Sequence, residues 1–465
     1  MSPVRSKVSE KTADLPETNR TSNGMSRTLA ADVAKHVGKT VELQGWLHKK
    51  RLLGGLTFIV VRDRSGLAQV VLHDEKEVAK LHNLQNGTVL QINGEVVKEE
   101  RAPGGAEIHK AKLEIMVPVT ETPPVEIDKP ISHESDNLDT LFDNRPITLR
   151  NLREKAIFKV QSNVLEAFRS YFKANDFTEM NSPKLLAEAT EGGAEVFKLD
   201  YFGKTATLAQ SAQFYKQIMV GVFERVFEIN PTYRAEPSAT TRHMTEYITI
   251  DAEMGFTTFD ELLNFAGGCL LNITDTVQKE SADELKQWEI SGYVLPGNAE
   301  KIPRITIDDI HDEFHKAGKG DFRKEDDLAP AEERWVCEWA KDKHGSEAVI
   351  VTGWSAKSKT FKFYHRANAD KPEIADRADL LFRGVEIATI SMRENRLDQL
   401  LKQLKSMGGD PSHPGYAPLL SAYRYGMPPH GGFGWGLERT VERLLNLNNV
   451  KEATLFPRDI NRLAP

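Results

Sequence analysis

Cysteine is nearly absent. Cys269 and Cys337 are the only two in 465 residues, which supply neither a disulfide framework nor a zinc cluster. No apolar run approaches the ~20 residues that span a bilayer, and the N-terminus lacks the hydrophobic region of a secretory signal. A surplus of positive charge is missing as well. The formal net charge is −7, so the chain as a whole does not advertise phosphate neutralisation, although a local basic face survives an acidic total. These absences argue against a stapled secreted domain and a helical membrane protein, and a reducing cytoplasm with no membrane partner is the expected setting. What is there, 40% hydrophobic and 28% charged residues, marks a globular chain too long for one ordinary core.

Along the chain, residues 1–27 are polar with almost no large apolar side chain, and disorder is expected there. From 28 to 120 the pattern changes to short β runs, VELQGWL, TFIVVRD, LAQVVLH, TVLQINGEVV and KLEIMV, separated by Gly and charged turns. Several short strands in about ninety residues suggest a small Greek-key barrel of the OB type. Lys49, Lys50, Arg51, Arg62 and Arg64 gather around its first turns with Phe58 between them, the mixture a stacking platform for single-stranded RNA bases needs. Core burial of Phe58 is the competing reading. A Pro- and acid-rich stretch at 121–148 reads as a hinge, and 149–465 as a second domain.

That second domain centres on Leu208 to Phe256. Phe214, Ile218 and Val222 recur at helical spacing, which groups Gln213, Lys216 and Gln217 on another face. Two β runs follow, 226–234 and 245–256, joined by a polar loop. Period two puts Ile248, Ile250, Ala252 and Met254 on one face and Tyr247, Thr249, Asp251 and Glu253 on the other. Arg234, Arg242 and His243 stand at the loop ends. Arginine forks, a ring and carboxylates suit a nucleotide, while a solvated charged hairpin has the same pattern.

The residue types and order decide between them. Tyr-Arg-Ala-Glu at 233–236, Thr-Arg-His-Met-Thr-Glu-Tyr at 241–247 and Ile-Asp-Ala-Glu at 250–253 resemble motif 2 of class II aminoacyl-tRNA synthetases, in the form used by aspartyl-tRNA synthetases. Pro183 in NSPKL, after an amphipathic helix, is similar to motif 1, and GFGWGLERTVERLL with Arg439 to motif 3. The tail TLFPRDINRLAP resembles the archaeal and eukaryotic branch. Three motifs in order are far more specific than one glycine pattern.

The resemblance implies an α+β protein, an anticodon-binding OB barrel followed by an antiparallel catalytic sheet flanked by helices. It implies a homodimer built through motif 1, with ATP, L-aspartate and tRNA(Asp) as substrates and Mg²⁺ as cofactor. At the ATP site it assigns Arg234 to the α-phosphate, Glu236 and Tyr247 to adenine, and Arg242, His243 and Arg439 to the pyrophosphate end. Glu386, with Asp379 and Thr389, would hold Mg²⁺. Lys216 and Arg393 would take the aspartate side chain, with Glu191, Gln213 and Asp251 at its ammonium. Arg51, Phe58 and Gln69 match anticodon positions. His48 and Pro103 match the enzymes that also charge tRNA(Asn), which leaves that tRNA open as a second acceptor. Where the family carries a Gly-Ser-Gln-Arg type run, this chain has Ile390-Ser391-Met392-Arg393. The rival readings are an asparaginyl-tRNA synthetase, a synthetase-derived binding protein without activity, and an ammonia-dependent asparagine synthetase, which the barrel disfavours.

Overall fold

The computed structural model describes residues 26–53, 56–131, 133, 138–187, 196–238 and 240–464. The chain divides into two compact units at Ile131. Expected disorder over 1–27 falls almost wholly outside the described residues, and so does Glu191. Arg27 and Thr28, the last of that stretch and the first of the next, form a strand along Glu42 and Leu43.

The first unit is a six-stranded barrel. Its strands are β1 (Arg27–Thr28), β2 (Thr40–Leu53), β3 (Leu56–Arg62), β4 (Leu67–Leu72), β5 (Val89–Lys98) and β6 (Ala106–Val117), in the order β1-β2-β3-β4-β6-β5, with β2–β5 pairing closing it. Alternation supplies the core: Leu43, Leu47, Ile59, Val61, Val70, Ile92 and Ile108 all point inward. β2 bends where Leu47 pairs with Val61 and Lys49 with Val60, leaving His48 as the extra residue of a bulge.

In the second unit a small sheet holds β8 (Leu185–Leu186), β10 (Lys204–Leu208) and β9 (Lys198–Tyr201). The large sheet has eight strands: β7 (Thr178–Glu179), β11 (Arg225–Tyr233), β12 (Glu246–Gly255), β13 (Arg304–Thr306), β14 (Ala348–Thr352), β15 (Arg377–Phe382), β16 (Val385–Met392) and β17 (His430–Gly436). Their order is β13-β14-β15-β16-β17-β12-β11-β7, antiparallel except at the two edges. Helices Leu152–Ala174, Phe259–Glu280 and Leu437–Leu444 bury one face of it, with Val160, Val164, Phe168, Leu270 and Val441 packing on Ile250, Ala252, Ile390, Phe433 and Trp435. The opposite face carries the polar residues.

Two expectations change. The hinge expected at 121–148 is helical over Leu138–Asp143 and Arg145–Thr148, because Leu138, Leu141 and Phe142 are buried. Arg145, also buried, binds Glu154 at 2.9 Å and the carbonyls of Glu452 and Thr454 at 3.0 Å. On the helix Gln213–Phe223, Gln213, Lys216 and Gln217 share a buried face as expected, while of the apolar set Phe214 is buried in a cluster with Phe363 and Leu419, Ile218 packs against that cluster and Val222 is exposed. Among the barrel cations, Lys50 donates to the Leu81 and Leu84 carbonyls at 3.0 and 2.7 Å and Arg62 is buried against Trp46 at 5.3 Å, so both serve the fold.

Candidate active site

Register builds the floor of the site. One row across the sheet reads Glu228, Asp251, Gly434, Thr389 and Asp379, and the next reads Val226, Glu253, Gly432, Ser391 and Arg377. Directly paired residues share a face, so carboxylates, hydroxyls and an arginine stand side by side over glycines. A Cβ at Gly432 would run into the Ala252 carbonyl and the Glu253 carboxylate, whereas one at Gly434 would meet only Asp251 Oδ1 at 3.7 Å. Bare backbone at Gly434 therefore leaves an opening in the floor. The same alternation sends Ile390 and Met392 into the core, so the departure from the family's run leaves only Ser391 and Arg393 facing the site.

At one end, Lys216 is 1% exposed. Its ammonium donates to Asp251 Oδ1 at 2.8 Å and to the Phe433 carbonyl at 2.9 Å, and lies 3.7 Å from Glu253 Oε2. Arg393 grips Glu253 through Nε at 2.7 Å and Nη2 at 3.0 Å and also reaches Ser391. Asp251, assigned by resemblance to the ammonium end of the substrate, is the ion-pair partner of Lys216 here, because strand register puts it under that helix. Burial alone would raise the Asp251 and Glu253 carboxyls, but Lys216 beside the first and Arg393 beside the second hold both below their usual range. Four buried charges thus balance. His430 closes the group, kept neutral chiefly by burial, with Nε2 3.3 Å from Gln217 Oε1. Gln213 is buried alongside, its amide nitrogen without a hydrogen-bond partner.

Toward the other end the guanidinium groups collect. Arg234 lies 6.0 Å from the centre of the Tyr247 ring and 3.5 Å from Glu236. His243 is hydrogen-bonded to Thr240 at 2.6 Å and sits 3.6 Å from Glu236. Arg242 pairs with Glu333 at 2.6 Å, and Arg439 with Glu386 at 3.1 Å. Glu438, next to Arg439, accepts from the Ile248 amide at 3.0 and 3.2 Å, which ties the last helix to the strand bearing Tyr247.

Glu386 reaches this face through an irregularity. Leu380 pairs with Ala388 but Leu381 with Glu386, so Ile387 is extra, and the bulge turns Glu386 from the core side to the side of Thr389, whose hydroxyl donates to it at 2.7 Å. Burial pushes the Asp379 carboxyl up to about 7; Arg377, at 3.0 Å, opposes that and Glu386 adds to it. Two carboxylates and a hydroxyl that crowd one another are a donor set suited to a cation. Among the described residues no group of three or more His, Cys, Asp or Glu could hold a metal ion; the oxygen donors here are two carboxylates and one hydroxyl, the chemistry a hard cation such as Mg²⁺ takes.

On the barrel, Arg51, Phe58 and Val71 lie in one row, and Lys49, Val60, Gln69 and Glu107 in the next. Phe58 is half-buried and Arg51 exposed. Gln69 donates to Glu107 at 2.8 Å, and Glu107 binds His109 at 2.6 Å. His48, by contrast, is 7% exposed with Nδ1 unpartnered, and Pro103 opens the short turn Pro103–Gly105. Glu107, Glu333 and Arg377 belong to these surfaces without having been singled out in the sequence. An acid next in register to Gln69 was findable; Glu333, from a remote charged helix, was not.

Residues 137–460 match the family model of class II tRNA synthetases (D, K and N), and residues 41–121 that of the OB-fold nucleic-acid-binding domain. The chain belongs to the class II tRNA synthetases of this D, K and N group. Within it, the chain is 40% identical over 94% of its length to the whole of an aspartate–tRNA(Asp/Asn) ligase from Thermus thermophilus. It is 38% identical over 92% of its length to 97% of an aspartate–tRNA(Asp) ligase from Pyrococcus abyssi. A solved asparaginyl-tRNA synthetase from Pyrococcus horikoshii, complexed with asparaginyl-adenylate, superposes with a TM-score of 0.85 at 31% identity, covering 94% of this chain and 99% of that one.

Proposed function

We propose that the chain activates L-aspartate with ATP and transfers it to the 3′ end of tRNA(Asp), with tRNA(Asn) as a second acceptor. The observation that carries the amino-acid choice is the buried Lys216 ammonium, which has spent two of its three N–H donors on Asp251 and Phe433. The third is available to a side-chain carboxylate, with the Arg393 guanidinium as the second cation.

In this reading an oxygen of the aspartate α-carboxylate attacks the α-phosphorus of ATP; the bond to the bridging oxygen breaks, and pyrophosphate leaves. Arg234 holds the α-phosphate, Tyr247 and Glu236 hold adenine by its face and its amine, and Arg242, His243 and Arg439 hold the leaving pyrophosphate. The terminal ribose hydroxyl of the tRNA then attacks the aspartyl carbonyl and AMP departs. None of these side chains forms a covalent bond, so the protein works by positioning and by stabilising charge. Glu386, Asp379 and Thr389 would hold Mg²⁺, which would supply counter-charge for the phosphates. Glu191 and Gln213 complete the reading at the substrate ammonium.

The anticodon end is assigned to the row of Arg51 and Phe58, with Gln69 beside it. A homodimer is part of the proposal, supported by the edge strand Thr178–Glu179 and by exposed Val222 and Phe223 at the end of the helix Gln213–Phe223 and exposed Phe256 just after β12. A cytoplasmic setting agrees with the absence, among the described residues, of a helix long and apolar enough to cross a membrane.

Charge balance favours a second reading: with Lys216 and Arg393 matched by Asp251 and Glu253, a neutral asparagine would enter without adding charge. Pyrophosphate exchange into ATP, run separately with aspartate and with asparagine, separates the two. Aspartate-dependent exchange is expected, and exchange with asparagine alone overturns the proposal.

A further inference from the structure

The segment between the second and third motifs offered no function in the sequence, yet its helix Pro330–His344 sends Glu333 into the arginine end of the site. The Glu333 side chain is 15% exposed and its Oε2 lies 2.6 Å from Arg242 Nη1, while Arg242 Nη2 lies 3.5 Å from the Gly384 carbonyl. Gly384 and Glu386 belong to the β15–β16 corner that also receives Arg439. Glu386 and Arg439 also act on Glu333, the first raising and the second lowering its carboxyl. Burial raises its carboxyl and Arg242 opposes that rise.

We infer that Glu333 is a positioning residue for ATP: it fixes the Arg242 guanidinium at the pyrophosphate end by one charged hydrogen bond, with the Gly384 carbonyl as a second support. This rests on the function proposed above. A guanidinium has five N–H donors in a rigid fork. Two of them face Glu333 and Gly384, which sets the plane of the fork and leaves three on the remaining edges for phosphate oxygens. Without the anchor, a long side chain on the polar loop between β11 and β12 would have to be ordered by the ligand itself, and that cost would appear as weaker ATP binding. The acid thus acts through Arg242 and not on the substrate, which its own negative charge would repel.

The test is aspartate-dependent pyrophosphate exchange with Glu333→Ala, Glu333→Gln, Arg242→Ala and the Glu333→Ala/Arg242→Ala double variant, alongside thermal melts. Losing a hydrogen bond to a charged group weakens an interaction by about tenfold or more. We expect Glu333→Ala to raise the KM for ATP by about that factor with the KM for aspartate unchanged, and Glu333→Gln, whose amide oxygen still accepts, to recover part of it. In the Arg242→Ala background, Glu333→Ala should have no further effect on the ATP KM. An unchanged ATP KM in Glu333→Ala, or a full additive effect on top of Arg242→Ala, overturns the inference. Equal rises in both KM values with a lowered Tm also overturn it, in favour of a purely structural acid. Absence of exchange with aspartate in the wild-type protein would instead defeat the functional reading beneath it.

Discussion

The Lys216 ammonium is buried with Asp251, Glu253 and Arg393 around it, so deleting its charge leaves two carboxylates sharing one cation. Breaking such a buried pair costs about 3 to 5 kcal/mol. Lys216→Met is therefore expected to lower kcat/KM for aspartate by at least about a hundredfold, while ATP binding, measured by calorimetry, persists. Normal aspartate activation by that variant would remove Lys216 from the specificity site. Glu386 and Arg439 are a different case. Each is about one-third exposed, and a pair that water still reaches contributes little to stability. Glu386→Ala and Arg439→Ala should each abolish adenylate formation with a Tm close to wild type; joint unfolding without selective loss of activity would show a structural pair instead.

At the scale of elements, the residues that period two could place are where it put them: Asp251 and Glu253 share a face because β12 is regular. Glu386 escapes that logic. Strict alternation assigns it to the core side with Ala388 and Ile390, and only a bulge at Ile387, invisible in composition, turns it to the site. The helix Gln213–Phe223 buries on two sides: Gln213, Lys216 and Gln217 form the polar face over the site, and Phe214 and Ile218 pack in a cluster with Phe363 and Leu419, so that Val222 alone of the apolar stripe is left exposed. The segment expected as a hinge hides a clamp whose partners lie 21 and 319 residues away. His133 bridges Glu154 and Glu452 with its two ring nitrogens. Burial would lower its pKa, but the two carboxylates raise it to about 9. The folded chain therefore keeps a proton that the unfolded chain gives up near the ordinary histidine value of about 6.5. This stabilisation is fully present below about pH 6.5 and is lost as pH rises through about 9. The Tm difference between wild type and His133→Ala should shrink across that window; a pH-independent difference would mean that the ring packs without its charge.

At the scale of the whole molecule, the remaining question is which tRNA the barrel admits. The two anticodons concerned, G-U-C and G-U-U, differ only in the last base, so on the proposal that the barrel binds the anticodon it would read that base tightly or not at all. His48 is not a solvated strand residue. It is the extra residue of the bulge in β2, 7% exposed, with Nδ1 unpartnered. Burial, with Arg62 adding to it, lowers its pKa, so at neutral pH the ring is an uncharged group offering one donor and one acceptor. In the proposed anticodon role, such a ring would meet the amine of a cytosine or the carbonyl of a uracil by exchanging tautomers, and it lacks the bulk that would shape a pocket for one of them. The expected outcome is aspartylation of a tRNA(Asn) transcript at a rate within about a hundredfold of that on tRNA(Asp), a gap of about 2.7 kcal/mol at most. His48→Trp should widen the gap chiefly by slowing tRNA(Asn), with pyrophosphate exchange unaffected. A wild-type rate on tRNA(Asn) far below a hundredth of the tRNA(Asp) rate would mean that the barrel discriminates through residues other than His48.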